Sequence, residues 1–249
     1  MRTLLIEYAK LKRSRILVLT LGLSAVIVMM SSMGFGRDDQ VASFVAEPEQ
    51  MWAGHLVGYI VIYALITPLQ LAIIASRLAD LEHLAHGWRL NAIVGTPPGD
   101  LLGIKFFVLG SLTLLAKVVE ATLLVAIPVL VGAPPPPNLA TIAVTCLALY
   151  GTALAIGAVF ISCATLVESQ LVVLGLGVVG GMLANAAMLS PVWVAAINPF
   201  GYFAMVTPYT FAEGGVVPVT PNWLAWGCYL GLALGFMAVL SRRINRKEI

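Results

Sequence analysis

Residues 101–131 read LLGIKFFVLGSLTLLAKVVEATLLVAIPVLV, an apolar run broken only by Lys105, Lys117 and Glu120. It is longer than the roughly 20 residues a helix needs to cross the hydrocarbon of a bilayer. Working outward, the chain holds five more such runs: Ile16 to Met33, Gly54 to Ala75, Leu139 to Val167, Leu171 to Leu189, and Trp223 to Leu240. Apolar residues make up 60% of the 249 residues and charged ones 10%, against roughly 45–50% and 25% in a soluble domain. A water-soluble globule is excluded, and the expected fold is an all-α polytopic membrane protein with six transmembrane helices.

The fourth and fifth runs are separated only by Glu168, Ser169 and Gln170, so a tight turn at the membrane surface joins them. Lysine and arginine are retained on the cytoplasmic side during insertion. With both termini inside, Arg2, Lys10, Lys12, Arg13, Arg15, Arg77, Arg89, Lys105, Arg242, Arg243, Arg246 and Lys247 all fall inside, leaving Arg37 outside and Lys117 within a span. The N-terminus has the basic-then-apolar order of a signal peptide but no small-x-small cleavage site soon after, so it is expected to stay as an anchor. The net charge of +2 points to no nucleic-acid partner. Cys146, Cys163 and Cys228 lie in apolar runs without metal or redox spacing and read as packing residues.

On the outer side, Arg37 to Met51 is acidic, and Pro134 to Pro137 forms a stiff corner. The segment 190–222 is rich in aromatics and prolines, which suits short helices at or dipping into the outer surface rather than a seventh span. No internal repeat and no soluble domain is visible, so 1–249 reads as one transmembrane domain.

Four features carry functional expectations. In the cytoplasmic segment 77–100, Leu78, Leu81, Ala85, Trp88 and Ala92 recur at steps of three and four, predicting a short amphipathic helix ended by Thr96-Pro97-Pro98-Gly99. Its His83 and His86, beside Glu82, lack the further ligand and base a zinc site needs and read as ordinary surface histidines. Residues 1–15 form a basic amphipathic helix along the inner leaflet, with Leu4, Leu5, Tyr8 and Leu11 as its apolar stripe. Within it Glu7 pairs with Lys10 at i,i+3; contact with a cytoplasmic partner is the alternative. Third, an isolated lysine at mid-span costs roughly 2.5–3.5 kcal/mol, so Lys117 and Glu120 are expected to pair. They either line a translocation path or tie helices together, and both readings stay open. Lys105, at the inner end of the same run, is expected to snorkel. Fourth, Gly177 and Gly181, and Gly227, Gly231 and Gly235, are spaced for close helix approach.

No GxxxxGK[ST], HExxH or GxSxG occurs, so the chain carries no P-loop of its own and no metalloprotease or hydrolase signature. It resembles the permease subunit of type-2 ATP-binding-cassette (ABC) transporters, close in layout to lantibiotic-immunity and drug-export permeases. The resemblance lies in Glu7-Tyr8-Ala9-Lys10-Leu11-Lys12-Arg13-Ser14 before the first span and in Glu82 to Trp88-Arg89 after the second. It continues through Asn198-Pro199-Phe200 after the fifth to a basic tail after the sixth. It implies that Glu82, Gly87, Trp88 and Arg89 belong to a coupling helix docking on an ATPase, with Glu7 beside it, and that Asn198, Pro199 and Phe200 open the outer re-entrant segment. It further implies two ABC ATPase subunits that bind ATP and Mg, a second permease subunit, identical or related, and a place in a bacterial plasma membrane. The implied activity is export of a hydrophobic or amphiphilic substrate such as an antimicrobial peptide, drug or lipid-like molecule, with no catalytic, cofactor or metal residue in this chain. The rivals are a secondary carrier or channel using Lys117 and Glu120 without an ATPase, and a membrane enzyme around His83 and His86.

Overall fold

The computed structural model describes residues 2–36, 38–84, 87–93 and 95–246. Arg37, Ala85, His86 and Lys247 lie outside the described residues, as do the side chains of Arg2, Lys12, Arg13, Leu81 and Arg89. The six apolar runs are all helical. They are α2 (Ile16–Ser31), α4 (Pro48–Leu84), α6 (Pro98–Leu130), α7 (Leu139–Leu166), α8 (Gln170–Met188) and α11 (Trp223–Arg246). Around them lie α1 (Arg2–Ser14), α3 (Asp38–Ala46), α5 (Gly87–Ile93), α9 (Val192–Ile197) and α10 (Tyr202–Met205), with strands β1 (Tyr209–Ala212) and β2 (Gly215–Pro218). Among the described residues five helices are long and apolar enough to cross a bilayer by themselves, and a sixth span is made if α1 and α2, bent by 63° from each other, count together. Arg15 makes that bend with a left-handed φ of 53°, a conformation that interrupts a right-handed helix at one residue.

α4 is the central post. It packs against α2, α7 and α8, burying Tyr59, Tyr63, Leu71 and Leu78. Gly177 and Gly181 make the α8 contact: a Cβ on Gly177 would lie 2.7 Å from the Ala72 methyl, and one on Gly181 would overlap the Leu65 carbonyl oxygen. That spacing therefore serves packing within the chain. Gly227, Gly231 and Gly235 have open space beside them.

Three expectations need correction. First, within an otherwise all-α fold, the segment 190–222 is not made of short helices alone: after α9 and α10, β1 and β2 pair antiparallel with Tyr209 opposite Pro218 and Ala212 opposite Gly215. The turn is made by Gly214 and Gly215 at φ of 98° and 140°, which only glycine adopts cheaply. The side chain of Gln50, at the start of α4, fastens the hairpin once its amide is assigned so that nitrogen faces the Val216 carbonyl and oxygen the Val216 N–H. Second, 77–100 is not one amphipathic helix. α4 runs on to Leu84 and a separate α5 begins at Gly87, so Leu78 and Trp88 share no continuous helical face. Gly95 then turns at φ of 93°, and Pro98 opens α6, where a missing N–H costs nothing. Third, Lys105 does not snorkel but is fully buried.

Candidate functional site

α1, α5 and the C-terminal end of α11 lie at one end of the bundle, the basal end, and the hairpin, against the start of α4, at the other. At the basal end four charged side chains from three helices meet. Lys105, on α6, donates to Glu7 Oε2 at 2.8 Å, to Glu82 Oε1 at 3.1 Å and to the Leu78 carbonyl at 2.8 Å. Lys10 donates to Glu7 Oε1 and to Glu82 Oε1, each at 2.5 Å. Glu82 Oε2 accepts from Asn91 on α5 at 3.0 Å, and the same amide donates to the Gly87 carbonyl at 2.8 Å. Two carboxylates and two ammoniums thus alternate and cancel, with α1, α4, α5 and α6 fastened together. Glu7 and Glu82 are 1% exposed and Lys105 0%, so each charge depends on its partners for the solvation water no longer supplies. Only Lys10, with 30% of its side chain accessible, touches solvent.

The arrangement sets the protonation states. Burial works against the charge on Glu82, but Lys105 and Lys10 outweigh it and hold its pKa below the ordinary 4.5. Burial likewise disfavours the Lys10 ammonium, and the hydrogen bonds and charges of Glu7 and Glu82 reverse the balance, raising it above 10.5. Both stay ionised at neutral pH.

Gly87 is buried against this clamp: a Cβ there would overlap Glu82 Oε2. Trp88 is half-buried, its ring 6.0 Å from Lys105 Nζ and 6.0 Å from the His83 ring. His83 is not a free surface histidine, because its Nε2 lies 3.0 Å from the Ala164 carbonyl of α7. Among the described residues no three His, Cys, Asp or Glu side chains are grouped to hold a metal. Of the residues expected at the coupling surface, the structure brings Glu7, Glu82, Gly87 and Trp88 together; Arg89 is on α5. The i,i+3 pairing of Glu7 with Lys10 was visible in the sequence, whereas Lys105 meets Glu7 across 98 residues and Asn91 meets Glu82 across the break between two helices.

Lys117 and Glu120 form a second buried site, between α4 and α6. Lys117 donates to Tyr59 Oη at 2.6 Å and to Glu120 Oε2 at 3.3 Å, and Tyr59 donates to the same oxygen at 2.8 Å. The ammonium also lies 3.2 Å from the centroid of the Tyr63 ring. Lys117 is 5% and Glu120 1% exposed, so within this chain they are enclosed rather than spread along an open surface.

Asn198, Pro199 and Phe200 join α9 to α10. The Asn198 amide donates to the Leu183 carbonyl of α8 at 2.8 Å, and its Oδ1 accepts from the Phe200 N–H at 3.0 Å. Phe200 lies over Gly180, where a Cβ would come within 2.5 Å of its ring, so the corner is locked onto α8.

The charge clamp fixes how α1 and α5 sit on α4 and α6. A family model described as ABC-2 family transporter protein matches residues 3–211. No curated protein and no solved structure matches.

Proposed function

We propose that this chain, which belongs to the ABC-2 transporter family and is a multi-pass membrane subunit that works with an ABC ATPase, is the permease of an exporter. The substrate is a hydrophobic or amphiphilic molecule, an antimicrobial peptide, drug or lipid-like compound. Both termini face the cytoplasm of a bacterium, where two ATPase subunits bind ATP and Mg, and a second permease, identical or related, completes the assembly. The basal end is then the cytoplasmic one, a reading its excess of lysine and arginine supports.

The observation that carries this reading is the buried clamp of Glu7, Lys10, Glu82 and Lys105. A membrane protein that merely anchors itself has no need to bolt an interfacial helix and a short surface helix to two spans with buried charges. A permease driven from its basal end does, because displacement of α5 is useful only if α4 and α6 move with it. On this view Glu7, Glu82 and Gly87 are positioning residues inside the clamp rather than points of contact, while α5, which carries Trp88 and Arg89, is the element the ATPase presses. Lys117 and Glu120 serve as a tie between α4 and α6; an enclosed pair gives no support to the carrier or channel reading.

The test is affinity purification of the tagged chain from native membranes in mild detergent. A stoichiometric P-loop ATPase in the eluate, diminished by Trp88→Ala at unchanged permease abundance, supports the proposal. A folded chain recovered without an ATPase counts against it.

A further inference from the structure

The last helix, α11, lies beyond the residues the family match covers, and its polar and aromatic attachments sit at its two ends. At the basal end Asn245 Oδ1 accepts from the Gly99 N–H at 2.6 Å and Ser241 Oγ donates to the Gly99 carbonyl at 2.9 Å. Asn245 Nδ2 reaches Asp100 Oδ1 at 3.3 Å. Gly99 stands in the first turn of α6, where backbone N–H groups lack partners within the helix. A Cβ there would overlap the Ser241 carbonyl oxygen and come within 2.5 Å of Asn245 Oδ1. At the hairpin end the Tyr229 ring stacks on Tyr202, centroids 3.9 Å apart and planes 6° from parallel. Trp226 Nε1 donates to Thr152 Oγ1 at 3.0 Å, its ring lying over Gly151. Between these ends the helix is apolar. Of its residues only Tyr229, Ala233 and Ile244 are buried, while Leu232, Leu234 and Phe236 are exposed.

We infer that α11 is the link that carries displacement of the basal segment to the short helices at the hairpin end, with Ser241 and Asn245 as positioning residues at one end and Tyr229 at the other. This rests on the reading that an ATPase presses on α5. The Thr96 N–H donates to the Asn91 carbonyl of α5 at 2.8 Å, and Pro97 and Pro98, of fixed φ, lead from there to Gly99, so movement of α5 reaches the point Asn245 grips. α11 is a stiff rod of 24 residues, about 36 Å at the α-helical rise. Its lipid-like middle has no directional bond to hold it against sliding, whereas its ends have several. Tyr202 is the first residue of α10, directly after the Asn198 to Gly201 corner, so the pull arrives where the outer segment turns.

The test is hydrogen exchange, read by mass spectrometry, on the purified complex with its ATPase, with and without a non-hydrolysable ATP analogue. In the wild type nucleotide changes exchange both at 87–99 and at 199–207. Asn245→Ala keeps the first change and reduces the second roughly fivefold, as loss of a hydrogen-bonded anchor predicts. Tyr229→Leu behaves as Asn245→Ala. Tyr229→Phe leaves the response intact, because the Tyr229 hydroxyl has no hydrogen-bond partner and the stacked ring remains. Should Asn245→Ala fail to assemble, the Tyr229→Leu and Tyr229→Phe pair decides. A wild-type response at 199–207 in both Asn245→Ala and Tyr229→Leu overturns the inference. No response at 87–99 in the wild-type complex overturns the coupling reading beneath it, a distinguishable failure.

Discussion

Lys105 at the basal end and Lys117 in mid-span are both buried against glutamate, and their surroundings differ. Lys105 shares two carboxylates with Lys10, so the four charges sum to zero and every carboxylate oxygen is bonded. Lys117 has one carboxylate, two tyrosines and no second cation, and Glu120 Oε1 is left without a partner. The first site joins four helices and reaches solvent at Lys10; the second joins two and is closed. On the function proposed above, the contrast is between a clamp that receives a load and a tie that keeps two spans in register.

The sharpest way to break this comparison is to remove one cation from each site. Lys105→Met leaves Glu7 and Glu82 with Lys10 alone and should lower stability by about 3–5 kcal/mol, the cost of an uncompensated buried charge. It should also free α1 to proteolysis. Both are read by thermal unfolding and limited digestion in detergent. Lys117→Met should cost nearly as much, about 3 kcal/mol, without loosening α1. Adding Glu120→Gln should recover most of that loss, since the pair is then neutral. A double variant with wild-type stability but no transport would move the pair from tie to pathway.

A milder perturbation is pH. The folded pKa of Glu82 is lowered, so its contribution is present above its ordinary value and lost as pH falls through the lowered one. That of Lys10 is raised, so its contribution is full below its ordinary value and lost as pH rises through the raised one. The clamp is therefore whole at neutral pH, with its acid loss below pH 4.5 and its alkaline loss above 10.5. Hydrogen exchange over residues 3–14 should rise in both limbs, and Glu82→Gln should remove the Glu82 part of the acid one. Smallest is Gly87→Ala, which pushes the Glu82 carboxylate aside at a cost of roughly 1–3 kcal/mol; unfolding midpoints measure it, and an unchanged midpoint would show that Glu82 has room to yield.

Much of the fold was legible because hydrophobic run length is a strong signal: all six runs became helices, and of the three residues expected between α7 and α8, Glu168 and Ser169 do lie there while Gln170 opens α8. The hairpin was hidden because its strands are four residues each and sit among the prolines and aromatics that also suit interfacial helices. The break between α4 and α5 was hidden because the apolar spacing runs through it, while Gly87, whose small size the break uses, carries no period. At the clamp, Glu7 and Lys10 could be paired by helical spacing. Lys10 and Glu82 stand 72 residues apart, and no local pattern announces such a contact. Lys105 looked like a snorkelling lysine because its position at a span end fits that role until α1 is folded over it.

The most direct measurement compares ATPase recovery in pull-downs of Trp88→Ala and Lys117→Met, each checked for abundance and folding against the wild type. If the basal end is the coupling site, Trp88→Ala loses the ATPase while still folded, and Lys117→Met retains it in proportion to the protein that survives. Equal recovery by a folded Trp88→Ala, or selective loss with Lys117→Met, would contradict the account.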